Sequence, residues 1–231
     1  MKIFVGLDDT DTLDSDMGTG HLARLVMDEL AALQIVGHGV TRHQLLLDRR
    51  IPYTAKNSAN VIHLLGEAAD IPQIARRAQA VMLAHFQPGS DPGLCVGAEV
   101  PQAVVAFGRR AQSEIVDQEE AQRLAQESGL TLLGLGGTNG GIIGALAGVG
   151  LASSGNDGRF TAIGRARDLV GTVTAADILT AGIMEVRTRD EETIQDGLIE
   201  TFDKLRPALR GGRAVLYVQP VNGHWQAVRM D

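Results

Sequence analysis

Ile3, Phe4, Val5 and Leu7 are apolar at positions that point to both sides of a pleated strand, so the pattern predicts a strand buried on both faces and central in its sheet. Leu22, Leu25, Val26, Leu30 and Leu33 then recur at helical spacing, with Thr19 placed to cap that helix. Residues 35–47 are expected to be extended, with breaks at Gly37 and Gly39, and after a loop over 51–58 comes a strand at 61–65. Asp70 is placed to cap a helix with Pro72 in its first turn and Ile71, Ile74, Ala78, Val81 and His85 along one stripe. Helices are expected at 102–110 and 117–127, a strand at 131–135, a helix from Ile142 and a strand at 160–164. His63 and His85 stand in apolar surroundings, where lone histidines are expected to be core residues rather than ligands.

Beyond about residue 165 the elements shorten. A helix over 174–180 and an extended segment over 183–187 precede a helix capped by Asp190 that carries Ile194, Leu198, Phe202 and Leu205. Residues 215–218 and 225–228 form a hairpin across Asn222-Gly223. The fold class expected is α/β or α+β: a mixed sheet flanked by helices over 1–165, then a smaller part over 166–231.

Chemistry enters where the first strand ends. Asp8, Asp9 and Asp11 follow its apolar run without a Gly or Pro break, so their carboxylates emerge together at the C-terminal end of a buried strand. Clustered carboxylates repel one another beside buried backbone unless a cation or hydrogen-bond donors compensate. Hard oxygen ligands from one or two aspartates, completed by phosphate oxygens and water, are how Mg²⁺ is usually held in phosphoryl-transfer sites. A solvated acidic turn is the alternative, and it suits Asp14 and Asp16 better. The hydroxyl of Thr19, with Gly18 and Gly20 beside it, stands at a helix start where unpaired amides attract anions.

A second stretch, Gly136-Gly137-Thr138-Asn139-Gly140-Gly141-Ile142-Ile143-Gly144, lets the backbone turn sharply and approach a phosphate. It is neither a P-loop signature nor a dinucleotide fingerprint, and Gly144 and Gly148 serve equally well as contact points for close helix packing.

Composition narrows the partners. With 21 basic and 28 acidic residues the net charge is −7, which argues against a surface built to neutralise many nucleic-acid phosphates. Arg42, His43, Arg49, Arg50 and Lys56 form the densest basic candidate, equally explained as a solvated basic hairpin. Aromatics make up only 3%, too few for base-stacking ladders. Cys95 is the only cysteine, so neither a disulfide framework nor a Cys₄ zinc site can form within the chain, and it is expected to be a buried structural thiol. No apolar stretch has the length of a membrane span, and the start enters a strand at once, so no membrane partner and a cytoplasmic location are the default. Homodimers are the default for association.

Three separated stretches together resemble one family, the archaeal tRNA-Ile agmatinylcytidine synthetases (TiaS). Gly6-Leu7-Asp8-Asp9-Thr10-Asp11 is similar to the family's Gly-Ile-Asp-Asp-Thr-Asp motif, Ile51-Pro52-Tyr53 with Lys56 to its Ile-Pro-Tyr segment, and Gly141-Ile142-Ile143-Gly144-Ala145-Leu146-Ala147 to its Gly-Leu-Ile-Gly-Ala-Leu-Ala helix start. The resemblance covers roughly residues 1–165, with a looser likeness beyond to a ferredoxin-like part. It implies a kinase-like unit binding ATP and Mg²⁺, with Asp8, Asp9 and Asp11 at the metal and phosphate site and Thr19 where the family autophosphorylates a threonine. The family's Cys-Thr-Thr is replaced here by Gly18-Thr19-Gly20, and its OB-fold and zinc ribbon have no counterpart in these 231 residues.

The expected function is accordingly an ATP- and Mg²⁺-dependent phosphotransferase or ATP-driven ligase. Asp8, Asp9 and Asp11 are expected to hold the metal, with Thr19 as a transient phosphate acceptor. Thr10, Gly18, Gly20, Gly140, Gly141 and Gly144 are placed around the phosphates, and Lys56 or Arg42 is expected to offset developing negative charge. The acceptor expected is a small molecule or free nucleotide, a folded tRNA requiring a partner chain. The alternatives are a catalytically silent nucleotide-binding module and the catalytic half of a split tRNA modifier.

Overall fold

A computed structural model describes residues 1–54, 56–202 and 204–230; Ala55, within the expected 51–58 loop, and Asp203 and Asp231 lie outside the described residues. The chain divides into two compact units, Met1–Ser154 and Gly155–Asp231.

The first unit is built on a five-stranded antiparallel sheet. Strand β1 (Lys2–Asp8) lies between β3 (Ser58–Leu65) and β4 (Gly93–Gly97), while β2 (Val36–Gln44) pairs β3 and β5 (Thr131–Gly134) pairs β4. The central, doubly buried strand expected from the apolar run is therefore present, with Ile3, Val5 and Leu7 fully buried. Helices α1 (Thr19–Ala32) and α2 (Ile71–His85) cover one face; on the other lies α5 (Gly141–Ser153), with α3 (Gln102–Ala111) and α4 (Gln118–Glu127) packed on it. Helix α5 is apolar all round and nearly all buried, as a helix sandwiched between a sheet and other helices must be. It presses so closely on β1 that any side chain at Gly6 would overlap the Ala145 carbonyl.

Strand β4, with Cys95 fully buried, was not anticipated: Gly93 and Gly97 bracket only three apolar residues, too short a run to declare itself. Thr19 does not cap α1. It is the first helical residue, Gly18 occupies the N-cap, and the Thr19 hydroxyl turns instead to the acidic loop. Asp70 precedes α2 but gives its carboxylate to the Glu67 amide in a short 3₁₀ turn over Ala68–Asp70. His85 is exposed in the last turn of α2 rather than a core residue, whereas His63 is largely buried.

The second unit is α+β. Among the described residues it has one helix, α6 (Ala175–Thr180), with Thr174 as its N-cap. Its strands β6 (Arg159–Ala162), β7 (Thr172–Thr174), β8 (Glu185–Thr188), β9 (Leu198–Glu200), β10 (Ala208–Arg210), β11 (Arg213–Val221) and β12 (His224–Val228) form a mixed arrangement in which β8 and β9 run parallel to β11 and β12. The β11–β12 hairpin turns at Asn222 (φ 48°) and Gly223 (φ 83°), the left-handed pair expected of Asn-Gly.

The helix expected after Asp190 does not form. Gly197 at φ 111° breaks the segment and Ile199 enters β9 opposite Val173 and Trp225, fully buried, while Leu198 and Phe202 are about half exposed. Of the expected stripe, Leu205 is buried in the core and Ile194 packs against it, but not as one helix face: Leu198 and Phe202 point outward, and Ile199, outside the stripe, is fully buried between them.

Candidate functional site

Alternation along β1 sends Phe4, Gly6 and Asp8 toward α5, so the last of these delivers its carboxylate to the first turns of that helix. Gly144 makes room for it, since a Cβ there would overlap Asp8 Oδ2. Asp9 follows at φ 51°, a left-handed conformation uncommon for a residue with a side chain. Asp8 and Asp9 line a cavity of about 340 Å³ together with Asp91, Thr138, Gly140, Gly141 and Gly144. Leu45, Ile51, Pro52, Ile115 and Val116 add apolar surface to its lining.

The carboxylates burden one another. Burial, the charge of Asp9 and, more weakly, that of Asp11 push the Asp8 carboxyl up to about 7 against a hydrogen bond from the Asp9 backbone. Burial and the facing charge of Asp91 push Asp9 up to about 6, partly offset by a hydrogen bond from the Asp91 backbone. Both groups can thus exchange a proton near neutrality, and when ionised they offer hard oxygens to a cation.

Asp11 stands at the edge of this cluster, joined to α1. Thr10 Oγ1 donates to Thr19 Oγ1 at 3.0 Å, and Thr19 Oγ1 donates to Asp11 Oδ1 at 3.0 Å. Thr19 is 8% exposed, and its hydroxyl ties the acidic loop to the helix. The amides of Thr19 and Gly20 meet no acceptor among the described residues, as expected at a helix start. Asn60 faces Gly20, and its buried Oδ1 has no donor among the described residues. Asp14 and Asp16 are exposed, in keeping with a solvated turn.

The glycine-rich stretch is used differently from expectation. At the start of α5 the Gly141 amide donates to the Asp91 carbonyl at 2.8 Å, and those of Ile142 and Ile143 are taken by the Asn139 and Gly140 carbonyls. These glycines therefore serve close approach more than they offer free amides. Gly137, at φ 58°, lies so near Asp91 that a Cβ would overlap Asp91 Oδ1. Asp91 accepts from the Thr138 amide at 2.7 Å and from Thr138 Oγ1 at 2.5 Å. Asp91 was not among the residues singled out from the sequence; its one local signal is an acidic residue inside a Pro-Gly stretch ahead of a short apolar run.

The basic residues do not gather at the cavity as a free patch. Arg42 Nε donates to Ser58 at 2.8 Å, His43 is fully buried, and Lys56 is exposed in the loop before β3 without lining the cavity. Arg50 does line it, held by two side-chain hydrogen bonds to Asp48. Among the described residues no three His, Cys, Asp or Glu side chains converge as a metal cage. No helix among them is long and apolar enough to cross a membrane.

The fold and site define an α/β protein whose central antiparallel strand delivers the carboxylates of Asp8 and Asp9 to a glycine-lined cavity. No protein-family profile and no curated protein matches the sequence. Solved structures do. Apo TiaS, a tRNA agmatidine synthetase, is similar with a TM-score of 0.56 and 25% identity over 65% of this chain and 35% of that one. TiaS in complex with its tRNA and ATP is similar at 0.56 and 25% over 65% and 36%, and a tRNA fluorescent labeling enzyme at 0.55 and 26% over the same shares. These likenesses support a TiaS-like family for the chain, which spans about a third of the length of the structures it matches.

Proposed function

We propose that this chain is a TiaS-like, ATP-using enzyme, an ATP- and Mg²⁺-dependent phosphotransferase or ATP-driven ligase whose acceptor is a small molecule or free nucleotide. The observation that carries the reading is the set of desolvated, mutually repelling carboxylates at the end of β1, beside a 340 Å³ cavity. Folding has concentrated negative charge where burial penalises it, and a bound cation with a phosphate chain would relieve that penalty. Support comes from the ATP in one similar TiaS complex and the AMPCPP and agmatine in another.

The residues fit a divalent metal by the chemistry of their donors: hard carboxylate oxygens whose burial and mutual repulsion outweigh the backbone hydrogen bonds they accept, with Asp8 and Asp9 on the cavity wall. Two such ligands suffice when phosphate and water complete the shell, so a three-ligand cage is not required. Asp8 and Asp9 would hold Mg²⁺, which when bound neutralises phosphate charge.

The chain's own groups supply the rest. Thr19 and Gly20 offer amides at the positive end of α1, next to Asp11. Leu45, Ile51 and Pro52 give an apolar wall that excludes water from the acceptor or base. Arg50, held in orientation by Asp48, is the cation that lines the cavity and can face developing negative charge. The Thr19 hydroxyl, committed to Asp11 and Thr10, acts in this reading as a tie within the loop, and phosphate goes directly to the acceptor.

Calorimetry with ATP and Mg²⁺ together should give binding that disappears with EDTA and weakens in Asp8→Asn. Heat-silent titrations of folded protein with metal present would remove the reading. A second reading, a catalytic half that works on tRNA held by a partner chain, rests on the tRNA in the similar TiaS complexes. RNA copurifying at physiological salt would favour it.

A further inference from the structure

The pairing of Asp8 with Gly93 across β1 and β4 brings the residues just beyond both strands, Asp9 and Asp91, face to face. Asp91 then makes four connections. Its carboxylate accepts from the Thr138 amide and hydroxyl, its carbonyl accepts from the Gly141 amide, and its backbone donates to the Asp9 carboxylate. Thr138 lies 47 residues away in sequence, so this one residue, through its side chain and backbone, joins the acidic loop, the 88–93 loop and the turn into α5.

We propose that Asp91 is a positioning residue that acts through Asp9, holding the Asp9 carboxylate toward the cavity and locking the glycine-rich turn behind it. The inference rests on the reading above that Asp8 and Asp9 hold the metal. Both carboxylate oxygens of Asp91 receive donors from Thr138, which orients this side chain toward the turn before α5. Asp9 sits at φ 51°, a conformation that persists in a residue with a side chain only where surrounding structure enforces it. The Asp91 backbone is the group that meets the Asp9 carboxylate there, and the Thr138 lock keeps that backbone in place. The absence of a side chain at Gly137 has the same explanation, because a Cβ would displace Asp91 Oδ1 from the lock. A loop staple with no bearing on Asp9 would show the same hydrogen bonds to Thr138, so the test must separate the two.

The test uses Mn²⁺ with ATP, followed by electron paramagnetic resonance, on the full chain and on Asp91→Ala, Asp91→Asn, Asp9→Asn and the Asp9→Asn/Asp91→Ala double variant. Asp91→Ala should weaken Mn²⁺ binding in the presence of ATP about tenfold, and Asp91→Asn, which keeps one acceptor for Thr138, about threefold. In the Asp9→Asn background the same alanine change should cost less than about twofold. A full tenfold loss in that background means the two residues act independently and overturns the proposal. Amide exchange supplies a readout that needs no ligand: the Thr138 and Gly141 amides should exchange at least about tenfold faster in Asp91→Ala. Unchanged exchange sinks the lock alone. No Mn²⁺ binding by the unaltered protein sinks the proposed function, and the action through Asp9 with it.

Discussion

Replacing Asp8 by Asn should make the metal-free protein more stable, by an amount that depends on pH. In the fold, burial and the neighbouring carboxylates carry Asp8 from its ordinary 3.8 to about 7. Between those two values the unfolded chain has released the proton while the folded chain retains it, so stability falls as pH rises from about 4 to about 7 and then levels off. At about 1.4 kcal/mol for each tenfold change, the full cost above pH 7 is at most about 4 kcal/mol. Asn is nearly isosteric, keeps an oxygen for the Asp9 amide, and never ionises. Part of the burden is repulsion shared with Asp9, so the net gain expected above pH 7 is roughly 1–4 kcal/mol. For a unit of this size that is a rise in melting temperature of roughly 3–12 °C. Thermal melts of both proteins in EDTA at pH 4, 6 and 8 should show a gain that is negligible at pH 4 and complete at pH 8. Equal or lower stability of the variant at pH 8, or a gain that persists undiminished at pH 4, refutes the claim that this carboxylate is held at the fold's expense. The same variant should bind ATP with Mg²⁺ more weakly, since a group that costs stability and supports binding is what a functional carboxylate looks like.

Further expectations follow from particular contacts. Gly144→Ala should leave the circular dichroism spectrum intact but weaken Mg²⁺–ATP binding at least about tenfold by calorimetry, because the new methyl displaces the Asp8 carboxylate from its seat on α5. Ile199→Ala should cost the second unit about 2–5 kcal/mol in urea unfolding while Leu198→Ala costs little, the reverse of what a helix carrying Leu198 inward would give. The Cys95 thiol, pushed up to about 12 by burial, should resist a thiol reagent at pH 8 in the folded protein and react in denaturant.

Residues 3–11 carry both an unbroken apolar run and its acidic sequel, so a central strand ending in carboxylates was legible without coordinates. The apolar run from Ile142 likewise announced a helix, and Asn222-Gly223 its hairpin, because these signals are local. What lay beyond reach was pairing. Nothing in the chain says that Asp91 meets Thr138 across 47 residues, that His43 is buried on β2 while Arg50 reaches the cavity, or that Thr19 bonds Asp11 instead of capping its helix. The stretch after Asp190 shows the limit most plainly: its apolar spacing fits a helix, and only the register of β9 with β7 and β12, available once the sheet has assembled, selects Ile199 for the core. Periodicity is a property of neighbours in sequence, and it determined most elements of the first unit; desolvation and hydrogen bonding between distant segments are properties of the packed chain, and they decided which of its charges form a site.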